Sequence, residues 1–423
     1  MNITLRKPKF VCETVAPTSK SAAHRMMIAA AFADAPTRIR LSGAGEDIAA
    51  TLRVLKALGA GAEMTAESTN EWLYITPIST PVYGAIADCG ESGSTLRFLV
   101  PVAAALGADT TFLRHGRLPD RPMEPLTSEL LRHGVVCTDN SDGSLSVKGQ
   151  LTAGEYSIAA NVSSQFITGL LFALSLLNAP STLTLTGEIE SAPYIDMTVN
   201  ALAAFGATPE HLENGRVYRI PGRLQQPLHS PEVLYPEGDF SGAAFPLVAG
   251  AVGDHPVTVT GLDLASSQGD MAILDLLQRF GAKVEKDAEN GAVTVFPAPL
   301  RGITINAKQI PDLVPILAVV ASVATGKTVI SGAARLRLKE SDRIATTAAL
   351  LRALGGCVCE TEDGLIVEGR ALTGGTVEGA GDHRIVMSAA IAALCASGDV
   401  TILGTEAVSK SYPTFFELIK SAD

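Results

Sequence analysis

The feature that most constrains this chain is a repeat. Glycines that close short β-like runs stand at Gly43 in "RIRLSG", Gly116 in "TTFLRHG", Gly187 in "LTLTG", Gly261 in "VTVTG", Gly332 in "TVISG" and Gly404 in "VTILG", 71 to 74 residues apart. A second series, Gly59, Gly134, Gly206, Gly281 and Gly355, closes helix-like runs at intervals of 72 to 75 residues. Glycine suits both places, because it ends helices and turns strands without a Cβ penalty. A sixth helix, "YPTFFELIKSAD", is expected at the C-terminus. Before each glycine-closed strand lies a run that is apolar nearly all round, such as "QFITGLLFALSLLNAP" or "LVPILAVVASVATGK". Helices of that kind must be buried on all sides.

Six copies of apolar helix, strand, loop, second helix and further strands allow a solenoid or two compact bodies. A solenoid seldom hides six wholly apolar helices, so two α/β domains of three repeats each, with buried helices surrounded by sheets, suit the pattern better. The 423 residues are also long for a single core. The Pro-rich stretch 225–238 reads as a crossover, and the first strands, "ITLRK", are assigned to the domain of the last three repeats.

Composition narrows the function classes. A net charge of -11 argues against a general nucleic-acid binder. The longest apolar run, Leu313 to Ala324, is too short to span a bilayer and contains Pro315, and "MNITLRKPKF" lacks a signal-like apolar stretch. The six cysteines have no metal-ligand spacing and read as reduced thiols of a cytoplasmic protein. A metal is not expected, and a monomer is the default.

Against that acidic background, cations gather at the starts of the apolar helices and in the loops after the strand glycines. Lys20, Arg25, Arg97, Arg121, Lys339, Arg343, Arg384 and Lys410 all lie there. Ser92, Asp239 and Asp312 are explained by helix capping alone. A cation in a first turn opposes the helix dipole and is not. If the buried helices of each domain run roughly parallel, these cations converge on one anion-binding cleft. Asp312 in "IPDLVP" and Glu340 in "LKESDR" interrupt the theme. Each reads either as an ion-pair partner or as an acid–base group tuned by its neighbours.

Nine motifs in order, "TSKSAAHR", "ESGSTLRF", "LPDRPM", "VSSQF", "SAPYIDMT", "EGDFSGAAF", "LKESDRI", "GDHRIVMS" and "VSKSYPTF", resemble the 5-enolpyruvylshikimate-3-phosphate synthase (3-phosphoshikimate 1-carboxyvinyltransferase) family over essentially the full length. The resemblance implies a two-domain inside-out α/β barrel, residues 1–14 plus 228–423 forming one domain and 15–227 the other, with the active site in the cleft between them. It implies transfer of the enolpyruvyl group of phosphoenolpyruvate to the 5-hydroxyl of shikimate 3-phosphate, with loss of phosphate and no cofactor, on the route to chorismate and the aromatic amino acids. Carried over motif by motif, Lys20, Ser21, Arg25, Ser163, Ser164, Ser191, Tyr194, Asp312 and Lys339 correspond to shikimate 3-phosphate contacts. Lys20, Gly93, Arg97, Arg121, Gln165, Arg343, Arg384 and Lys410 correspond to phosphoenolpyruvate contacts. Asp312 resembles the base for the 5-hydroxyl, Glu340 the acid for the phosphoenolpyruvate methylene, and Lys20 an aid to proton or phosphate departure. The sequence departs from many relatives at Glu91–Ser92, at Arg335 and at Gly381.

Two rivals are weighed. The related transferase acting on UDP-N-acetylglucosamine is expected to carry a loop cysteine near "HGRLPDRPM", where none occurs. A non-catalytic repeat protein that binds phosphorylated metabolites would have the cations without the pair Asp312 and Glu340.

Overall fold

The computed structural model describes residues 1–67 and 70–421. Its helices are Lys20–Ala30 (α1), Glu46–Leu58 (α2), Gly93–Leu106 (α3), Leu126–Arg132 (α4), Ser164–Ser175 (α5), Ala192–Ala204 (α6), Phe240–Val252 (α7), Ile273–Phe280 (α8), Val314–Val323 (α9), Arg343–Ala353 (α10) and His383–Ala393 (α11). The odd-numbered helices are the apolar ones, and they are buried almost throughout: every residue of α11 is buried, as is every residue of α5 but Gln165. Both glycine series take left-handed backbone, with φ from 54° to 78° after the strands and from 82° to 114° after the helices. The repeat is thus fixed by backbone geometry that other residues adopt only under strain.

The chain forms two compact units, each an α/β body with its own core. Lys20–Pro236 holds α1 to α6, and Met1–Ser19 with Glu237–Asp423 holds α7 to α11. These limits lie a few residues beyond the expected ones, and strand pairing explains why. Glu13–Val15 runs parallel to Val257–Thr260, so the first nineteen residues go with the later repeats. Val233–Leu234 runs parallel to Thr37–Leu41, so the crossover stretch stays with the early repeats. Trp72 and Tyr235, edge to face at 5.9 Å, add a side-chain contact at that junction.

The sheets of each unit follow one plan. Each glycine-closed strand has a parallel neighbour on one side and an antiparallel one on the other: Ser181–Thr186, for example, lies between Glu155–Ala159 and Val217–Ile220. Side chains alternate buried and half-exposed along these strands, as a sheet with one face on a core requires. Chain ends complete the pattern. Asn2–Leu5 pairs antiparallel with Val400–Leu403, as expected for the first strands.

The sixth helix does not form. Residues Phe415–Leu418 make a single 3-10 turn, and Ile419–Lys420 then pairs antiparallel with Lys9–Phe10. Only one turn separates Pro413 from that pairing, and the buried Phe415 anchors the segment, packing edge to face with Phe245. Residues 422–423 of the expected helix lie outside the described residues.

Candidate functional site

In the unit of α1 to α6 the cations lie in the first two turns of α1 and α3 and in the loop before α4. Lys20 opens α1, and its Nζ donates to Asp47 Oδ2 at 2.8 Å. Arg25, one turn on, is buried and donates only to neutral oxygens: Ser21 O at 2.7 Å, Tyr194 O at 2.8 Å, Thr198 Oγ1 at 2.8 Å and Thr168 Oγ1 at 3.2 Å. Its guanidinium also lies over the Phe98 ring at 5.1 Å and the Tyr194 ring at 6.0 Å. Burial without a carboxylate partner pulls its pKa down to about 10. Such a cation gains from any anion that reaches it. Ser191 stands at the start of α6 with φ 57°, and Ser163 caps α5, its hydroxyl accepting from Gln165 N at 3.3 Å. Ser164 is the buried first residue of α5.

A second group sits where α3 meets α5. Arg97 donates to Gln165 Oε1 at 2.9 Å and to Pro122 O at 2.8 Å, and Gln165 Nε2 donates to Ser94 Oγ at 2.9 Å. The helices come this close because of Gly169: a Cβ there would lie 2.4 Å from Arg97 O. At Gly93 a Cβ would lie 2.5 Å from Arg121 Nη1, so a side chain there would push the guanidinium aside rather than the backbone. Here the glycine holds a guanidinium against bare backbone at a helix start, where an anion is favoured.

Beside these groups runs a buried polar chain. His24 Nδ1 lies 2.7 Å from Thr51 Oγ1, which lies 2.7 Å from Thr95 Oγ1, whose hydroxyl reaches Ser92 Oγ at 2.9 Å. Burial pulls the His24 pKa down to about 3, so folding keeps the ring neutral. The unfolded chain binds a proton near pH 6.5 that the folded chain refuses, so stability falls as pH drops from about 6.5 toward 3. Urea unfolding should therefore show wild type losing stability relative to His24→Asn as pH falls from 7 to 4. Parallel curves would remove His24 as the source.

The unit of α7 to α11 is organised differently, around Arg343 at the first position of α10. Its side chain is 2% exposed and meets three carboxylates: Asp382 Oδ2 at 2.8 Å from Nε, Asp312 Oδ1 at 2.8 Å from Nη1 and Glu340 Oε2 at 2.7 Å from Nη2. Asp382, wholly buried, caps α11, its Oδ1 accepting from Arg384 N at 3.0 Å. It also accepts from Ser341 Oγ at 2.9 Å, which ties down the loop carrying Lys339 and Glu340. Arg384 Nη2 donates to Asp312 Oδ2 at 3.3 Å and to Ser241 Oγ at 3.0 Å, and Lys339 Nζ lies 3.8 Å from Asp312. Burial alone would raise the Asp312 pKa. Arg384, Lys339 and Arg343 overcome it and hold the carboxylate well below the usual range. Lys410 Nζ donates to Gly381 O at 2.9 Å, next to the α11 cap.

Of the cations singled out from sequence, Lys339, Arg343 and Arg384 meet at Asp312, whereas Lys20, Arg25 and Arg97 each have their own partners in the other unit. The sequence did not single out Asp47, Thr168, Thr198, Ser241, Asp270 or Asp382 as site residues. Asp382 carried a signal in "GDHR", but one that a plain N-cap also gives. Thr168 and Thr198 lie inside helices and carried none. Among the described residues no cluster of His, Cys, Asp and Glu suits a metal ion. One half buries the Arg25 guanidinium among neutral oxygens, where an anion would be favoured. The other combines cations with carboxylates able to exchange protons.

Comparison with known proteins bears on both halves. Residues 6–419 match the family profile described as EPSP synthase (3-phosphoshikimate 1-carboxyvinyltransferase). A 3-phosphoshikimate 1-carboxyvinyltransferase of Clostridium novyi is 39% identical over 95% of this chain and 92% of its own. One from Halobacterium salinarum is 39% identical over 96% and 94%. Among solved structures, an EPSP synthase from Acinetobacter baumannii superposes over the whole of both chains with a TM-score of 0.79 at 28% identity. The enolpyruvyl transferase NikO of Streptomyces tendae shares the fold, with a TM-score of 0.79 at 21% identity over 99% and 98% of the two chains.

Proposed function

The chain belongs to the EPSP synthase (3-phosphoshikimate 1-carboxyvinyltransferase) family, and from that premise we propose that it transfers the 1-carboxyvinyl group of phosphoenolpyruvate to the 5-hydroxyl of shikimate 3-phosphate and releases phosphate. The observation that carries this reading is Asp312 bound between Arg343, Arg384 and Lys339, with Arg343 also bound to Glu340. Carboxylates set on these cations can position them as ion-pair partners, and in this family reading they also serve as proton acceptor and donor.

The chemistry follows in two stages. Asp312 takes the proton of the 5-hydroxyl as its oxygen bonds to C2 of phosphoenolpyruvate, and Glu340 delivers a proton to C3. The Glu340 carboxylate then takes a proton back from C3 as the C2–O bond to phosphate breaks and its electron pair leaves with phosphate, which restores the enol ether. Both substrates carry a phosphate and a carboxylate, which explains the number of guanidinium groups. Shikimate 3-phosphate is assigned to Lys20, Ser21, Arg25, Ser163, Ser164, Ser191, Tyr194, Asp312 and Lys339. Phosphoenolpyruvate is assigned to Lys20, Gly93, Arg97, Arg121, Gln165, Arg343, Arg384 and Lys410. Arg343 would receive it through its second Nη1 hydrogen or by releasing a carboxylate, since its other contacts are to acids.

This reading assigns one pair of substrates to residues of both units, as the inside-out two-domain arrangement with a substrate cleft implies. The chain is proposed to act as a monomer. The six thiols, all free, suit a reducing cytoplasm. Phosphate release should require both substrates together. Release that ignores shikimate 3-phosphate, or none at all, would overturn the proposal.

A further inference from the structure

Asp270 lies in the short turn Gly269–Ala272, away from every motif used above, and is buried. Its Oδ2 accepts a hydrogen bond from the Ser241 hydroxyl, and its Oδ1 is buried with no hydrogen-bond partner. Ser241 in turn accepts from Arg384 Nη2 at 3.0 Å, and the same nitrogen reaches Asp312 Oδ2 at 3.3 Å. A serine hydroxyl has one proton. Giving it to Asp270 turns the lone pairs of Ser241 toward Arg384. Without that acceptor the hydroxyl would rotate, and Arg384 would lose one of its fixed anchors.

We propose that Asp270 is a positioning residue: through the Ser241 hydroxyl it fixes the Arg384 guanidinium, and with it the anion that Arg384 receives. The proposal rests on the assignment of Arg384 to phosphoenolpyruvate. Four groups face Asp270: Ser241 and the cap Asp239 at the start of α7, Asp312 before α9, and Arg384 on α11. Burial, followed by the charge of Asp312, raises the Asp270 pKa to about 7. Near neutral pH the residue is therefore only partly ionised. Once ionised it sets a second negative charge against the arriving anion.

The test begins with wild type. If it does not release phosphate with both substrates, the proposed activity fails, whatever the variants do. With an active wild type, Asp270→Ala should raise the KM for phosphoenolpyruvate about tenfold, the worth of one lost buried hydrogen bond, and raise that for shikimate 3-phosphate less. Ser241→Ala should do the same, and the double variant should be no worse than the weaker single one, because both break one link. Unchanged KM in folded Asp270→Ala, or additive effects, would overturn the proposal. Asp270→Asn keeps the shape and removes the charge, so it serves even if the alanine variant fails to fold. The ratio of wild-type to Asp270→Asn KM for phosphoenolpyruvate should rise as pH passes from 6 to 8. A ratio that does not change with pH would equally overturn it.

Discussion

Asp312→Asn is expected to lower kcat by about 10²–10⁴-fold, the usual range for removing a general base, while shikimate 3-phosphate still binds. The asparagine keeps one acceptor oxygen for the guanidinium groups that now meet at Asp312 Oδ1 and Oδ2. It cannot take a proton from the 5-hydroxyl. The three cations around Asp312 hold it ionised through the neutral range, so it is always able to accept a proton but is a weak base in the unliganded protein. Anionic substrates that draw Arg384 and Lys339 toward themselves would strengthen it on binding, and chemistry would wait until the site is filled. Steady-state phosphate release with both substrates saturating measures the effect, with calorimetric titration of shikimate 3-phosphate as the control. A variant that keeps most of its turnover would take Asp312 out of the chemistry.

The second large effect is on stability. Arg343→Met should destabilise the unit of α7 to α11 by about 3–5 kcal/mol, the cost of leaving buried charges without their partner. Asp382 has no exposed surface and would keep only its bonds from Ser341 Oγ and Arg384 N. A lysine in place of Arg343 should rescue little, since one ammonium cannot span three carboxylates. The chain's only tryptophan, Trp72, lies in the other unit. Urea unfolding followed by far-ultraviolet circular dichroism should therefore show an early transition that tryptophan fluorescence misses. Coincident, unshifted transitions would contradict this account. Asp382 gives the same pairing its pH sense. Burial alone would raise its pKa, but Arg343 holds it below the usual value, so its contribution is present above the unfolded carboxylate range and fades as acid protonates it.

How far the sequence could be read depended on whether a residue broke a local rule. Gly59 and Gly134 end helices with φ of 114° and 91°, a conformation that punishes other residues, so their spacing announced the repeat. Lys20, Arg343 and Arg384 stand in first turns against the dipole, so their positions marked them as candidates for anion binding. Asp382 and Asp270 break no such rule: acids near helix starts are ordinary, and only their contacts with Arg343 and Ser241 set them apart. The expected C-terminal helix failed for the converse reason. Its pattern was locally acceptable, but pairing of Ile419–Lys420 with Lys9–Phe10, at the far end of the chain, decided the outcome. Such long-range competition leaves no local trace.

The way the strands close each body sets a schedule for its birth on the ribosome. Residues 20–236 contain all their own strand partners, the last being Val233–Leu234. That half can finish while the remainder is still being made. The strands Asn2–Leu5 and Glu13–Val15 leave the tunnel well before their partners Val400–Leu403 and Val257–Thr260. At about 5–20 residues per second, they spend tens of seconds with their edges open, a ready target for a chaperone.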